Sequence, residues 1–134
     1  MAVLVDSNVL IDALSPESPW RAWSEAALER AADRSLLVIN PVIYAEVSVG
    51  YDRAEALDAV LPRGLFQRED VPYEAAFLAG KVFLAYRRRG GVRRSPLPDF
   101  FIGAHAAVAG YELLTRDAAR YRTYFPTIPL LAPE

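Results

Sequence analysis

Short apolar runs alternate with longer stretches of helical periodicity along the whole chain. Ala2–Val5, Leu36–Ile39, Glu112–Thr115 and Ile128–Leu131 are brief and mostly apolar, with polar or turn residues on either side. A short run without polar alternation reads as a strand covered on both faces. Gly64–Gln67 is a weaker run of the same kind. The stretches between them carry helix punctuation. Asn8–Leu14 reads as a turn or two of helix, and Pro19 opens a helix to about Asp33 with Ser18 as its cap. Asn40-Pro41 is a cap followed by proline at the first helical position, leading a helix that carries Ile43, Glu46 and Val47. Another helix spans about Asp52–Leu61. Asp70-Val71-Pro72 starts a long one that ends at Gly90-Gly91, with Arg87, Arg88 and Arg89 complementing the dipole of its last turn. A loop, Val92–Pro98, precedes a helix over Asp99–Ala109 that Gly110 stops, and Ala118–Tyr124 is a short helix.

Strands alternating with helices predict a parallel sheet with right-handed crossovers. The expected fold class is α/β: one three-layer α/β/α domain over residues 1–134, with a central, mostly parallel sheet of about five strands. No repeat, linker or low-complexity tract divides the chain. In such sheets, sites form outside the carboxyl ends of the strands.

Four acids stand where that rule puts a site. Asp6 ends the first strand, Glu46 lies on the second turn of the helix after the second strand, Asp99 begins a helix, and Asp117 follows the fourth strand. Each has an ordinary structural explanation as well. Asp6 can make a turn, Asp99 and Asp117 can cap helices, and Glu46 can be a solvated helix residue. Capping does not predict that all four fall at the same edge.

Composition narrows what such a cluster can hold. The chain has no cysteine and one histidine, His105, so thiolate sites and multi-histidine zinc sites are excluded. Oxygen donors alone suit magnesium or manganese. Carboxylates brought within a few ångströms raise one another's pKa, and a divalent cation removes that cost. Such a cation polarises a phosphoryl oxygen and acidifies a water, as phosphodiester hydrolysis requires. The expected catalytic set is Asp6, Glu46, Asp99 and Asp117. Asp6, Asp99 and Asp117 are the expected metal ligands, and Glu46 is a further ligand or orients the attacking water. Ser7, Asn8 and Thr115 are neutral groups able to steady ligands or substrate.

The net charge of −2 says nothing of nucleic acid, but the distribution of basic residues does. Lys81 is the one lysine among 15 basic residues, and five arginines fall between Arg87 and Arg94. Arg87, Arg88, Arg93, Arg94 and Arg116 are therefore candidate contacts to substrate phosphates, against the alternative of a solvated helix end. Arg116 and Arg120 can instead pair with a carboxylate. Trp20 and Trp23, three apart on a helix, can stack bases but more often pack, and Tyr121 and Tyr124 read the same way. His105 lies six residues after Asp99, roughly 120° around a regular helix, and reads as a packed or hydrogen-bonded core residue. The N-terminus has neither a basic leader nor an uninterrupted apolar span, so a cytoplasmic protein without a membrane segment is expected.

Two other phosphate-handling folds fit less well. A phosphoryl-accepting receiver would want an aspartate ending the third strand and a lysine late in the chain; Gly64–Gln67 contains no aspartate and Lys81 is mid-helix. A haloacid-dehalogenase-type phosphatase would want an aspartate two residues after Asp6, where Asn8 stands.

VLVDSNVLIDAL at the start, INPVIYAEV in the first third, LPDFFIGAHAAVAGYELLTRDAARY near the end and the closing IPLLAP resemble the PIN-domain family. Within it they are similar to the VapC-type toxins of toxin–antitoxin pairs. The resemblance covers essentially the whole chain and maps the family's acidic site onto Asp6, Glu46, Asp99 and Asp117. It implies a magnesium- or manganese-dependent endoribonuclease with an RNA substrate, a cognate antitoxin partner and a homodimer. A catalytically inactive RNA- or protein-binding module is the alternative. An antitoxin would reach the acids with an arginine or lysine. Its amphipathic helix would lie against Pro19–Asp33 and Pro41–Leu61, with Trp20, Trp23 and Tyr44 as anchors.

Overall fold

The computed structural model describes residues 1–91 and 96–134. Five strands form one sheet: β1 (Ala2–Val5), β2 (Leu36–Ile39), β3 (Phe66–Arg68), β4 (Glu112–Leu114) and β5 (Leu130–Leu131). Their order is β3-β2-β1-β4-β5, and every neighbouring pair is parallel. Seven helices flank it among the described residues: α1 (Ser7–Ala13), α2 (Arg21–Arg34), α3 (Pro41–Ser48), α4 (Ala54–Val60), α5 (Tyr73–Arg88), α6 (Leu97–Ala109) and α7 (Ala118–Tyr124). This is the expected α/β architecture, with a wholly rather than mostly parallel sheet.

The apolar runs explain why the central strands need cover on both sides. Val3, Leu4 and Val5 are all fully buried, as are Val38 and Ile39, so consecutive side chains on opposite faces both lose water. Each such aliphatic side chain contributes about 1.5–3 kcal/mol by burial. The outer strands are shorter than the sequence suggests. In β3 only Phe66 is buried, and the ladder runs on to Arg68 rather than starting at Gly64. The last strand keeps only Leu130 and Leu131.

Strand order creates the functional edge. The chain moves outward from β1 to β2 and β3, then returns to the other side of β1 with β4. The carboxyl ends of β1 and β4 therefore flank a topological switch point, where crossovers leave in opposite directions and open a crevice. The registers pair Val5 with Leu114, so Asp6 and Thr115 leave the sheet at the same level.

Helix starts decide what faces that crevice. Asn40 caps α3 through its side-chain oxygen, which accepts from the Ile43 amide at 2.9 Å. Its amide nitrogen donates to His105 Nδ1 at 3.0 Å, which ties α3 to the buried middle of α6. Ser18 does not cap a helix beginning at Pro19. It accepts from the Trp20 amide and donates to Asp12, and α2 begins at Arg21. Helix α6 starts two residues before Asp99, which places Asp99 inside the first turn.

Behind the crevice, aromatic side chains pin α5, α6 and α7 together. Phe100 lies 5.1 Å from Tyr124 and 5.6 Å from Tyr86, ring centre to ring centre. Gly103 leaves room for the Phe125 ring: a Cβ there would sit 2.5 Å from two ring carbons. Gly103→Ala should therefore cost about 1–3 kcal/mol by overpacking, measured by urea denaturation. Gly64→Ala, at a position with nothing within 4 Å of the added methyl, should be nearly neutral.

Candidate active site

Asp6 is the deepest acid at the crevice. It occupies the cap position of α1 in extended conformation, but its carboxylate makes no cap bond to that helix. The carboxylate instead accepts two hydroxyl bonds at Oδ2, from Thr115 at 2.8 Å and from Tyr121 at 3.1 Å. Only 2% of Asp6 is exposed. Burial pushes its pKa up to about 7, and the charges of Asp99 and Glu46 push the same way against the two hydroxyls.

Glu46 and Asp99 join it. Carboxylate oxygens of Asp6, Glu46 and Asp99 all lie within 4.8 Å of one another. Glu46 comes from the second turn of α3, where Ser7 holds its Oε1 at 2.6 Å. Asp99 sits in the first turn of α6, again without a side-chain cap, and burial together with Glu46 and Asp117 raises its pKa against the pull of Arg120. The capping explanation thus fails for Asp6 and Asp99, whose carboxylates turn to the crevice. Three oxygen donors at this spacing, two of them on acids held above their ordinary pKa, fit a hard divalent cation.

Asp117 stands apart from that trio. It too occupies a cap position, on α7, and makes no cap bond. Its side chain is half-exposed at the rim, with Oδ2 3.9 Å from Arg120 Nε. The same guanidinium donates from Nη1 to Asp99 Oδ2 at 2.8 Å. The expected ligand set of Asp6, Asp99 and Asp117 therefore differs from the set that lies together, which contains Glu46 and leaves Asp117 outside.

The expected supporting residues hold the acids directly or brace the turn beside them. Thr115 also accepts from the Asp117 amide at 3.0 Å, so one hydroxyl links two of the acidic positions. Asn8 accepts from the Arg116 amide at 3.1 Å and reaches Thr115 at 3.5 Å, bracing the turn after β4. Arg116 takes a carboxylate partner. Its guanidinium pairs with Asp12, which is 7% exposed, and lies 5.3 Å above the Trp20 ring. That ion pair is the carboxylate alternative the sequence offered for Arg116. Arg87 and Arg88 end α5, with Arg87 over the Phe83 ring; Arg93 and Arg94 lie outside the described residues.

Tyr121 was not readable as a site residue from sequence, where it resembles any packing aromatic. Its one signal is spacing: it falls four residues after Asp117, one helical turn along the face that begins at the crevice. Asp12 carries no such signal: it lies six residues after Asp6, and its partner Arg116 is 104 residues away.

Because Asp6 binds its proton more tightly folded than unfolded, its ionisation destabilises the fold. Metal-free stability should be highest below the ordinary carboxylate pKa of 3.8 as far as this group is concerned, and should decline as pH rises toward about 7. Asp6→Asn should flatten that decline and raise metal-free stability at pH 8 by roughly 1–3 kcal/mol. Urea titrations of both proteins between pH 5 and pH 8 check this; parallel curves would show that Asp6 is not the strained group.

Comparison with known proteins agrees with this geometry. The family model described as PIN domain matches residues 3–126. No curated protein sequence gives a significant match. Among solved structures, the chain is similar to VapBC2 from Rickettsia felis bound to a DNA fragment from its promoter, with TM-score 0.75 and 17% identity over 100% of both chains. It is similar to a toxin-antitoxin complex from Klebsiella pneumoniae, with TM-score 0.70 and 25% identity over 98% of each chain. VapBC-1 from nontypeable Haemophilus influenzae matches with TM-score 0.73 and 18% identity, again over 98% of each. With nearly its whole length matched and its carboxylates at the switch point of a parallel five-stranded sheet, the chain belongs to the PIN-domain family.

Proposed function

We propose that this protein is a divalent-metal-dependent endoribonuclease of the VapC type, the toxin of a toxin–antitoxin pair. The observation that carries the nuclease reading is the trio of carboxylates within 4.8 Å at the switch point. The likeness to complexes described as VapBC and toxin-antitoxin supports the toxin reading.

In this reading Asp6, Glu46 and Asp99 hold magnesium or manganese, and Asp117 bounds the site on the solvent side. Bound there, the cation supplies Lewis acidity to a phosphoryl oxygen and to the attacking water. The chain's own residues do the rest. Thr115 and Tyr121 fix Asp6 so that its oxygens need not reorganise. Ser7 fixes Glu46 beside it. Asp117, half-exposed, is placed to orient water or accept its proton. Arg87 and Arg88, with Arg93 and Arg94, are proposed contacts to the RNA backbone, while Arg116 is left out because of its pair with Asp12.

The antitoxin reading has its own support. A groove of about 630 Å³ starts at Ser7 and Glu46 and runs between α1 and α3. Ile11, Leu14, Val47 and Val49 line it, with Ile11 and Val49 exposed. An amphipathic segment laid there would bring its end beside the carboxylates. The walls of this groove are α1 and α3, and α3 is the first part of the Pro41–Leu61 stretch expected to flank an antitoxin helix. Trp20 lies under Arg116, and Tyr44 is bonded to Asp58. A homodimer is also proposed, supported by the exposed Tyr73, Phe77 and Leu84 of α5. No helix among the described residues is long and apolar enough to cross a membrane, and we place the protein in the cytoplasm.

Magnesium or manganese should be required for cleavage of single-stranded or looped RNA, and EDTA should stop it. Ser7→Ala should lower the rate by about 10–100-fold through loss of Glu46's support. EDTA-resistant cleavage by a clean preparation would overturn the metal reading, and metal binding without turnover would favour the binding module. Expressed alone, the protein should slow growth of its host, and co-expression with the neighbouring small gene should restore it. Charge placed on the groove's exposed lining, as Ile11→Glu, should cut antitoxin affinity by about 100-fold or more. Harmless expression with no co-purifying partner would leave only the nuclease.

A further inference from the structure

Arg120 is the one described cation bonded directly to the acidic trio, and the proposed function assigns it nothing. Its guanidinium reaches Asp99 Oδ2 from Nη1 at 2.8 Å and Asp117 Oδ2 from Nε at 3.9 Å. It thus straddles the gap between the trio and the rim. A divalent cation on Asp99 draws on the same negative charge that holds the guanidinium. With the cation on that carboxylate, the attraction that holds Arg120 is largely cancelled, since a dication close to a guanidinium repels it.

We propose that Arg120 and the divalent cation compete for Asp99, and that Arg120, displaced from Asp99 by the cation, binds a phosphate of the RNA beside the trio. The inference rests on the metal-site reading above. Three observations support it. First, Arg120 remains within reach after the ion pair breaks. The aromatic packing of Phe100 on Tyr124 and Phe125 holds α6 to α7, so the ion pair is not what sets their spacing. Second, its side chain is 35% exposed, so the guanidinium can turn outward without leaving a buried charge unpaired. Third, the pairs with Asp99 and Asp117 engage two of its three nitrogens, Nη1 and Nε. A planar fork of donors released from a carboxylate matches two phosphate oxygens equally well. Arg116, four residues earlier, pairs instead with Asp12, outside the trio.

Competition makes opposite effects in one variant. Removing the guanidinium should tighten metal binding and weaken RNA binding. Arg120→Gln should lower the Mn²⁺ dissociation constant, read by isothermal titration calorimetry without RNA, by about 3–10-fold. In the presence of Mn²⁺, the same variant should bind a phosphorothioate-linked single-stranded oligoribonucleotide more weakly. The slope of log K against log salt should shrink by about 0.7, one phosphate contact on a single strand. Arg120→Lys, which keeps the charge, should restore most of both values and guards against a folding defect in the glutamine variant. An Mn²⁺ affinity unchanged or weakened in Arg120→Gln, or an unchanged salt slope, would overturn the proposal and leave Arg120 a surface ion pair. The metal-site reading fails separately, if wild-type protein binds no Mn²⁺ or binds it equally well as Asp6→Asn.

Discussion

Burying the carboxylate of Asp6 at the end of the central strand obliges the surrounding chain to supply hydrogen-bond donors and, beyond them, positive charge. Thr115 and Tyr121 supply the donors from β4 and α7. They do not neutralise the group, whose pKa stays near 7 because burial and two further acids outweigh them. A carboxylate in that condition is unstable alone and well suited to a dication. Much of the edge can be understood as the means of bringing Glu46 and Asp99 to that one buried oxygen pair.

The sheet order makes the convergence possible with short connections. With β1 central and crossovers leaving in opposite directions, three helix starts point at the same crevice: α1 behind Asp6, α6 at Asp99 and α7 behind Asp117. The partial positive charge at helix starts eases the gathering of anions there. Glu46 arrives differently, from the second turn of α3, and needs Ser7 to aim it. The Asn40–His105 bond and the Phe100 ring cluster then keep α3, α6 and α7 in register around the crevice. Stability and function meet here: packing that never touches substrate sets the spacing of the acids.

Some of this was readable from the residues and some was not, for physical reasons. Strands buried on both faces leave an unmistakable mark, so β1 and β2 fall where their apolar runs lie. Edge strands leave little, because Phe66 alone is buried in β3 and Gln67 faces water as a loop would, and β3 starts two residues later than its sequence suggests. Asn40-Pro41 marked the start of α3, since cap and proline act locally. The four acids were identifiable by their places at strand and helix ends. Their mutual distances were not, because these depend on side-chain direction. Hence Glu46 joins the trio and Asp117 does not. Arg116 and Arg120 are alike in sequence, yet one turns to Asp12 and the other to Asp99. Tyr121 differs from a packing tyrosine only in where its hydroxyl ends.

The central claim is that Asp6, Glu46 and Asp99 share one divalent cation. Anomalous scattering from crystals of the protein grown with manganese tests it most directly. The account predicts a single strong peak bonded to all three carboxylates at about 2.0–2.3 Å, the range for hard cations on oxygen. A peak held by Asp117 without Glu46, or manganese bound only elsewhere on the surface, would contradict it.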